Sequence, residues 1–189
     1  MKTKIFIITM LIALYGNVLV AQKVDINTEK SSVKWMGKKI GSKHEGMIQL
    51  KDGYVELQDD KMVAAKIVID MASITNTDLE NENYNQKLVG HLKSDDFFGV
   101  ETYPTASFEL TKSSTFTNGK ATLSGDITIK DKTEPISFDV VKEGETFSTK
   151  VTIDRSKFDV RFGSKSFFNN LGDNVIDDNF TLDIRLVVN

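Results

Sequence analysis

The feature that most restricts this chain is a side-chain period of two that runs through most of its length. Val33 and Trp35 alternate with Ser32 and Lys34, and Ile48 and Leu50 flank Gln49. Val63, Ala65, Ile67 and Ile69 form one face of a later run. Ala106, Phe108 and Leu110 alternate with Ser107 and Glu109. The second half repeats the pattern through Leu123, Ile127 and Ile129, then Ile136, Phe138 and Val140, then Phe147, Val151 and Ile153. Phe158, Val160 and Phe162 read as a further strand, and Phe180, Leu182, Ile184, Leu186 and Val188 close the chain. Successive side chains of a strand point to opposite faces, so each run presents one apolar face only if it is extended. Turn residues separate the runs at Asp52-Gly53, Asp59-Asp60, Asn118-Gly119 and Glu143-Gly144. The class is therefore all-β. Many sequential one-faced strands must fold into a sandwich or curl into a barrel, and closure as a barrel also removes unpaired edges. The period alone does not choose between the two.

Two stretches break the alternation. In residues 76–99, Tyr84, Leu88 and Leu92 recur at helical spacing with Val89 beside them, which predicts a short helix. Ser94 is placed to cap a further turn through Asp95, Asp96 and Phe97. Residues 164–174 carry Phe167, Phe168 and Leu171 and suit a second short helical turn.

The first residues follow a different logic. Lys2 and Lys4 precede an apolar run over 5–14, and Leu19-Val20-Ala21 ends on a small residue. This reads as a secretory signal over residues 1–21, cleaved after Ala21, ahead of a single domain over residues 22–189. Gly16 and Asn17 cut the apolar run short of the roughly 20 residues a membrane span needs. The expectation is a periplasmic or secreted protein with no stable membrane anchor. The chain has no Cys, which removes disulfides, thiolate metal sites, a Cys nucleophile and an acylated lipoprotein anchor. Without Lys2 and Lys4 the formal charge falls two units below the −3 of the full chain. That acidity argues against nucleic acid as a partner and against electrostatic adhesion to anionic membranes.

Chemistry-bearing motifs are sparse. No GxSxG elbow, phosphate-binding loop or dinucleotide glycine pattern occurs. His44 and His91 are the only histidines, and neither has a partner at metal-ligand spacing. Asp95-Asp96 and Asp177-Asp178 do not fit a calcium loop. No enzyme, cofactor or metal site is expected, although a spatial Ser-His-Asp arrangement lies beyond what spacing can test.

Four ordered motifs then carry a resemblance. Gly90-His91-Leu92-Lys93-Ser94-Asp95-Asp96-Phe97-Phe98 leads into Tyr103-Pro104-Thr105 and Phe108. Leu123-Ser124-Gly125-Asp126-Ile127-Thr128-Ile129 is followed by Thr133 and Pro135. Ile153-Asp154-Arg155-Ser156-Lys157-Phe158 comes late, and His44, Gly46 and Gly53 come early. Together these resemble the YceI-like family over nearly the whole chain beyond residue 21. The sequence departs from the family pattern at Asp131-Lys132 and in a longer, more polar stretch over 76–86. The resemblance implies an antiparallel lipocalin-like barrel of about eight strands with one or two short helices. It also implies a long-chain lipid, a polyisoprenoid in known cases, held inside.

Such a guest has little to hydrogen-bond, so its site must be long, dry and aromatic-lined. Of twelve Phe, all but Phe6 lie beyond the signal. Trp35, Phe97, Phe98, Phe108, Phe138 and Phe158 are the cavity-lining candidates, with a solid core the alternative for each. Phe97 and Phe98 also suit a plug at one barrel end. Phe167 and Phe168 are gate candidates. His44 at the rim and the planar fork of Arg155 are candidates for a polar head group, with Asp154 or Asp159 the alternative partners of Arg155. A filled barrel that serves as an exported interaction module is the competing function, and a homodimer is left open.

Overall fold

The computed structural model describes residues 21–189. The signal assigned to residues 1–21 lies, but for Ala21, outside the described residues. Nine strands form in chain order: β1 Gln22–Asp25, β2 Ser32–Lys39, β3 Ser42–Gln58, β4 Lys61–Asp70, β5 Thr105–Ser113, β6 Lys120–Ile129, β7 Lys132–Glu143, β8 Thr146–Asp154 and β9 Asn179–Val187. One α-helix, α1 (Glu82–Lys93), interrupts them between β4 and β5. Every neighbouring pair is antiparallel. The order β3-β2-β9-β8-β7-β6-β5-β4 returns to β3 through the β3–β4 pairing, so eight strands close a barrel. β1 is the extra strand. It pairs with Tyr54–Leu57 of β3, and Ile26 bridges to Val188, which covers the seam between β3 and β9.

β3 makes closure possible. Its 17 residues serve β2 and β1 along one edge and β4 along the other. A strand that long must bend, and its pairing with β4 shifts register between Leu50 and Asp52. The Asp52-Gly53 pair, expected as a turn, therefore lies inside β3 at a bulge. A second shift sets Leu57 opposite Met62 and Glu56 opposite Ala64, leaving Val63 as the extra residue. Met62 consequently faces inward and Val63 is 40% exposed, which corrects the inward face expected for Val63.

Other departures have local causes. Residues 155–162 are not a strand. The Asp154 side chain accepts from the Ser156 N–H at 3.0 Å and starts a 3-10 turn, Arg155–Phe158, which ends on Asp159 in the left-handed region (φ 58°). Ser94 both ends α1, its N–H donating to the Gly90 and His91 carbonyls, and starts the expected further turn, its carbonyl accepting from the Phe97 N–H at 3.0 Å, while its hydroxyl donates back to the His91 carbonyl instead of capping that turn. The β6–β7 connection is a two-residue turn in which Lys130 and Asp131 both take positive φ (50° and 57°) without a glycine. Lys130 Nζ donates to the Phe97 carbonyl at 3.0 Å and to the Asp159 carbonyl at 3.3 Å, which ties that tip to both long connections.

Those long connections, residues 71–104 and 155–178, leave the barrel at the same end as the β2–β3 and β6–β7 turns. One contact seats the first of them. Trp35 on β2 lies opposite Gly46 on β3, and the Trp35 indole donates to the Thr75 carbonyl at 2.9 Å. A Cβ at Gly46 would stand 1.9 Å from that carbonyl oxygen. Only glycine admits this approach. Thr75 and Thr77 then continue the sheet by donating to the Met47 and Glu45 carbonyls, each at 2.9 Å.

Gly46→Ala is expected to lower the unfolding free energy by about 2–3 kcal/mol, because the strand must shift and the indole donor loses its partner. Urea denaturation of the two proteins checks it.

Candidate ligand cavity

The inward faces of the strands do not meet. They enclose a hollow of about 420 Å³, within the roughly 300–1,000 Å³ of small-molecule sites. The wall is apolar. Leu50, Val55, Met62, Leu123, Val140 and Phe147 line its deep part, and Ile67, Ile127, Ile136, Phe138, Leu182 and Ile184 its middle. The middle set is only half-buried although it points inward, as expected of side chains facing space instead of one another. The opening lies at the end that carries the long connections. Lys38, Lys39 and His44 contribute to it from β2 and β3, Leu88 and His91 from α1, and Phe162 and Ile176 from the last connection.

The expected lining residues divide accordingly. Trp35, Phe97, Phe98, Phe108 and Phe138 all border the hollow. Phe108 and Phe138 sit ring to ring, 5.4 Å between centroids, and Phe97 and Phe98 meet edge to face at 5.2 Å. Phe158 does not border it. The 3-10 turn directs its ring into a separate buried cluster with Ile129, Val151 and Ile153. Phe167 and Phe168 do not border it either. They are exposed at 38% and 48%, and Phe167 stacks beneath Arg161. Three aromatics went unremarked as lining: Phe147, Phe162 and Phe180. The strand period places Phe147 and Phe180 on inward faces, whereas Phe162, read with Phe158 and Val160 as a strand face, reaches the opening from an irregular segment and packs edge-on to His91 at 4.3 Å.

The polar candidates have defined partners. His44 Nδ1 lies 2.8 Å from Asp78 Oδ2, and the other Asp78 oxygen accepts from the Glu45 N–H at 2.8 Å and from the Asn76 amide. Burial pushes the Asp78 pKa up, but the Glu45 N–H, His44 and Asn76 outweigh it and hold the carboxyl below the usual aspartate range. Arg155 is 2% exposed. Its fork donates to the Asp177, Val160 and Ile176 carbonyls at 3.0, 2.8 and 3.1 Å, and Nη2 lies 3.4 Å from Asp178. Neither alternative partner weighed from the sequence is used: Asp154 caps the 3-10 turn, and Asp159 pairs with Arg161. Burial lowers the Arg155 pKa, opposed by Asp178, Asp154 and Asp177. Arg155 thus clamps the last connection against the barrel end while one face of its guanidinium lies 5.3 Å from the Phe97 ring. Among the described residues no group of three or more His, Asp or Glu could hold a metal ion.

Comparison with known proteins places this geometry. A model of the YceI-like domain matches residues 24–188. The chain belongs to the YceI-like family. A UPF0312 protein of Pseudomonas putida is 28% identical over 134 residues, covering 69% of this chain and 66% of the relative, so the match spans just under two thirds of that protein. The crystal structure of BcnA from Burkholderia cenocepacia superposes with a TM-score of 0.69 at 26% identity, over 87% of this chain and all of that one. A polyisoprenoid binding domain from Saccharophagus degradans shares the fold, with a TM-score of 0.59 at 14% identity over 87% of this chain and 96% of that one. The family's motifs acquire physical roles in this YceI-like barrel. His44 and Gly46 seat the residues ahead of α1, the Phe97-Phe98 pair covers the hollow, and Arg155 fastens the connection beside it.

Arg155→Met is expected to lose about 3 kcal/mol of stability, since three carbonyls and Asp178 lose a partner, with no recovery in Arg155→Lys, which lacks the fork. Chemical denaturation of both variants checks it. Asp78 contributes stability above the ordinary aspartate pKa that is lost as pH falls through its lowered folded value. Asp78→Asn should therefore show a flatter melting temperature between about pH 5 and pH 2 than the parent.

Proposed function

We propose that this protein is a non-catalytic carrier or store for a long-chain apolar lipid, a polyisoprenoid by preference, and that it acts after export to the periplasm or outside the cell. One observation carries the reading: an apolar hollow, open at one end, where a small barrel could have packed its own side chains together. Each methylene moved from water to such a wall contributes about 0.8 kcal/mol, so a long unbranched path through apolar side chains suits a chain of repeating hydrocarbon units. The hollow favours a carrier over a filled barrel that only presents loops. The fold shared with the Saccharophagus degradans polyisoprenoid binding domain supports the same class of guest. The polar groups at the opening, His44 with Lys38 and Lys39, suit the polar end of such a lipid, while the apolar tail lies between Phe108, Phe138 and Leu182.

Native mass spectrometry and organic extraction of the protein, expressed with its leader in a diderm bacterium, test the proposal. The expected result is a co-purified lipid, with saturable uptake of prenols by delipidated protein whose affinity rises with each added isoprene unit until the hollow is full. Ala106→Phe, which projects a ring into the hollow from β5, should weaken uptake by about tenfold or more. Neither retained lipid nor saturable uptake would overturn the reading.

A further inference from the structure

Six large apolar side chains are strongly exposed among the described residues, and their distribution is uneven. Val63 stands alone near the closed end. The other five, Ile40, Tyr84, Phe162, Phe167 and Phe168, all belong to segments at the end that carries the opening. They form a connected rim. Tyr84 precedes Leu88 and His91 by four and seven residues, so it extends along α1 the face that meets the hollow. His91 packs on Phe162, the preceding residue Arg161 lies over Phe167, and Phe168 shares a surface recess with Val175. The Val175 carbonyl accepts from the Ile40 N–H, which brings the path back to the β2–β3 turn.

Cations stand among these side chains. Lys38 and Lys39 border the opening, and Lys165 borders the recess beside Phe168. Among the described residues none of the three has a carboxylate partner. The acids nearest these lysines on β3, ahead of α1 and on the last connection are partly committed, Glu45 to Lys34 and Lys43, Asp78 to His44, Asp159 to Arg161 and Asp178 to Arg155, whereas Glu80, Glu82, Asp95, Asp96, Glu101 and Asp131 at the same end form no ion pair among the described residues. Asp173 and the Asp177 carboxylate, which accepts from the Asn179 N–H, remain as negative charges on the last connection. The chain as a whole is acidic, but only charges within about one Debye length, roughly 10 Å, of a surface act on it. Aromatic rings interleaved with lysines around a hole match a membrane interface, where rings enter the head-group layer and ammonium groups meet lipid phosphates.

We propose that this rim docks reversibly on an anionic phospholipid bilayer and sets the opening of the cavity against it. The proposal deepens the carrier reading, since a lipid insoluble in water then passes between bilayer and hollow without crossing bulk solvent. Contact of this kind is shallow and is a collision surface, not an anchor.

Vesicle flotation tests it with phosphatidylcholine vesicles, with and without phosphatidylglycerol and with no isoprenoid present. The full barrel should float with the anionic vesicles and release in high salt. An Ile40→Ser, Phe167→Ser, Phe168→Ser triple variant should lose flotation by about tenfold, and Lys39→Glu with Lys165→Glu should lose it on anionic vesicles selectively. Val63→Ser, an exposed apolar side chain away from the rim, should float like the parent. The substituted side chains are exposed, and melting temperature confirms that each variant is folded. Absence of flotation, or flotation that the triple variant retains, would overturn the proposal. So would self-association, seen by analytical ultracentrifugation and abolished by the same triple variant, because the rim would then be covered by a second copy. Prenol uptake from detergent micelles is measured separately on the same proteins. Flotation without uptake keeps the docking surface and removes the isoprenoid, whereas uptake without flotation does the reverse.

Discussion

Everything in this molecule depends on β3 being long enough to close the ring. An eight-strand barrel has an interior about wide enough for its own side chains to fill or for one slender guest. Closure removes the exposed edges and fixes that width. What remains free is the size and reach of the inward residues. In this chain the deep part is lined by Val55, Met62, Leu123, Val140 and Phe147, and the middle by branched aliphatics and Phe138 that leave space between them. The hollow is thus a consequence of circumference and side-chain length together, without any dedicated binding motif.

A hollow of this kind is costly in packing terms, because wall atoms facing space forgo dispersion contacts that a solid core would make. The barrel offsets that loss at its edges. Trp35, Gly46 and Thr75 bring backbone and indole into direct contact where the first long connection begins. Arg155 gathers three carbonyls where the last one ends. Both arrangements use polar groups that are almost wholly committed to the protein itself. They leave the interior dry and the open end defined.

Much of this was legible in the sequence, and the losses follow a pattern. Alternation placed Trp35, Phe108 and Phe138 on inward faces correctly, because a ladder transmits side-chain direction without error as long as the register holds. It failed at Val63 and at Asp52-Gly53, where bulges insert a residue that local composition does not reveal. It failed again at Phe158, because the Asp154 carboxylate competes for the backbone and turns an alternating run into a 3-10 turn. The helix was visible from Leu88 and Leu92. Its relation to His44 was not, since the Asp78 contact joins residues 34 apart in the chain. Phe167 and Phe168 were sought as a gate and lie on the outer surface, a position that depends on how residues 163–176 fold back against the barrel end.

The β6–β7 tip carries a consequence of its own. Its lysine amine holds a carbonyl from each of the two segments that roof the barrel, so those segments share one fastening point. Two ring contacts, His91 with Phe162 and Phe97 with Arg155, join the same segments beside it. The opening at this end is bordered instead by Lys38, Lys39 and His44 on one side and by Leu88, His91, Phe162 and Ile176 on the other.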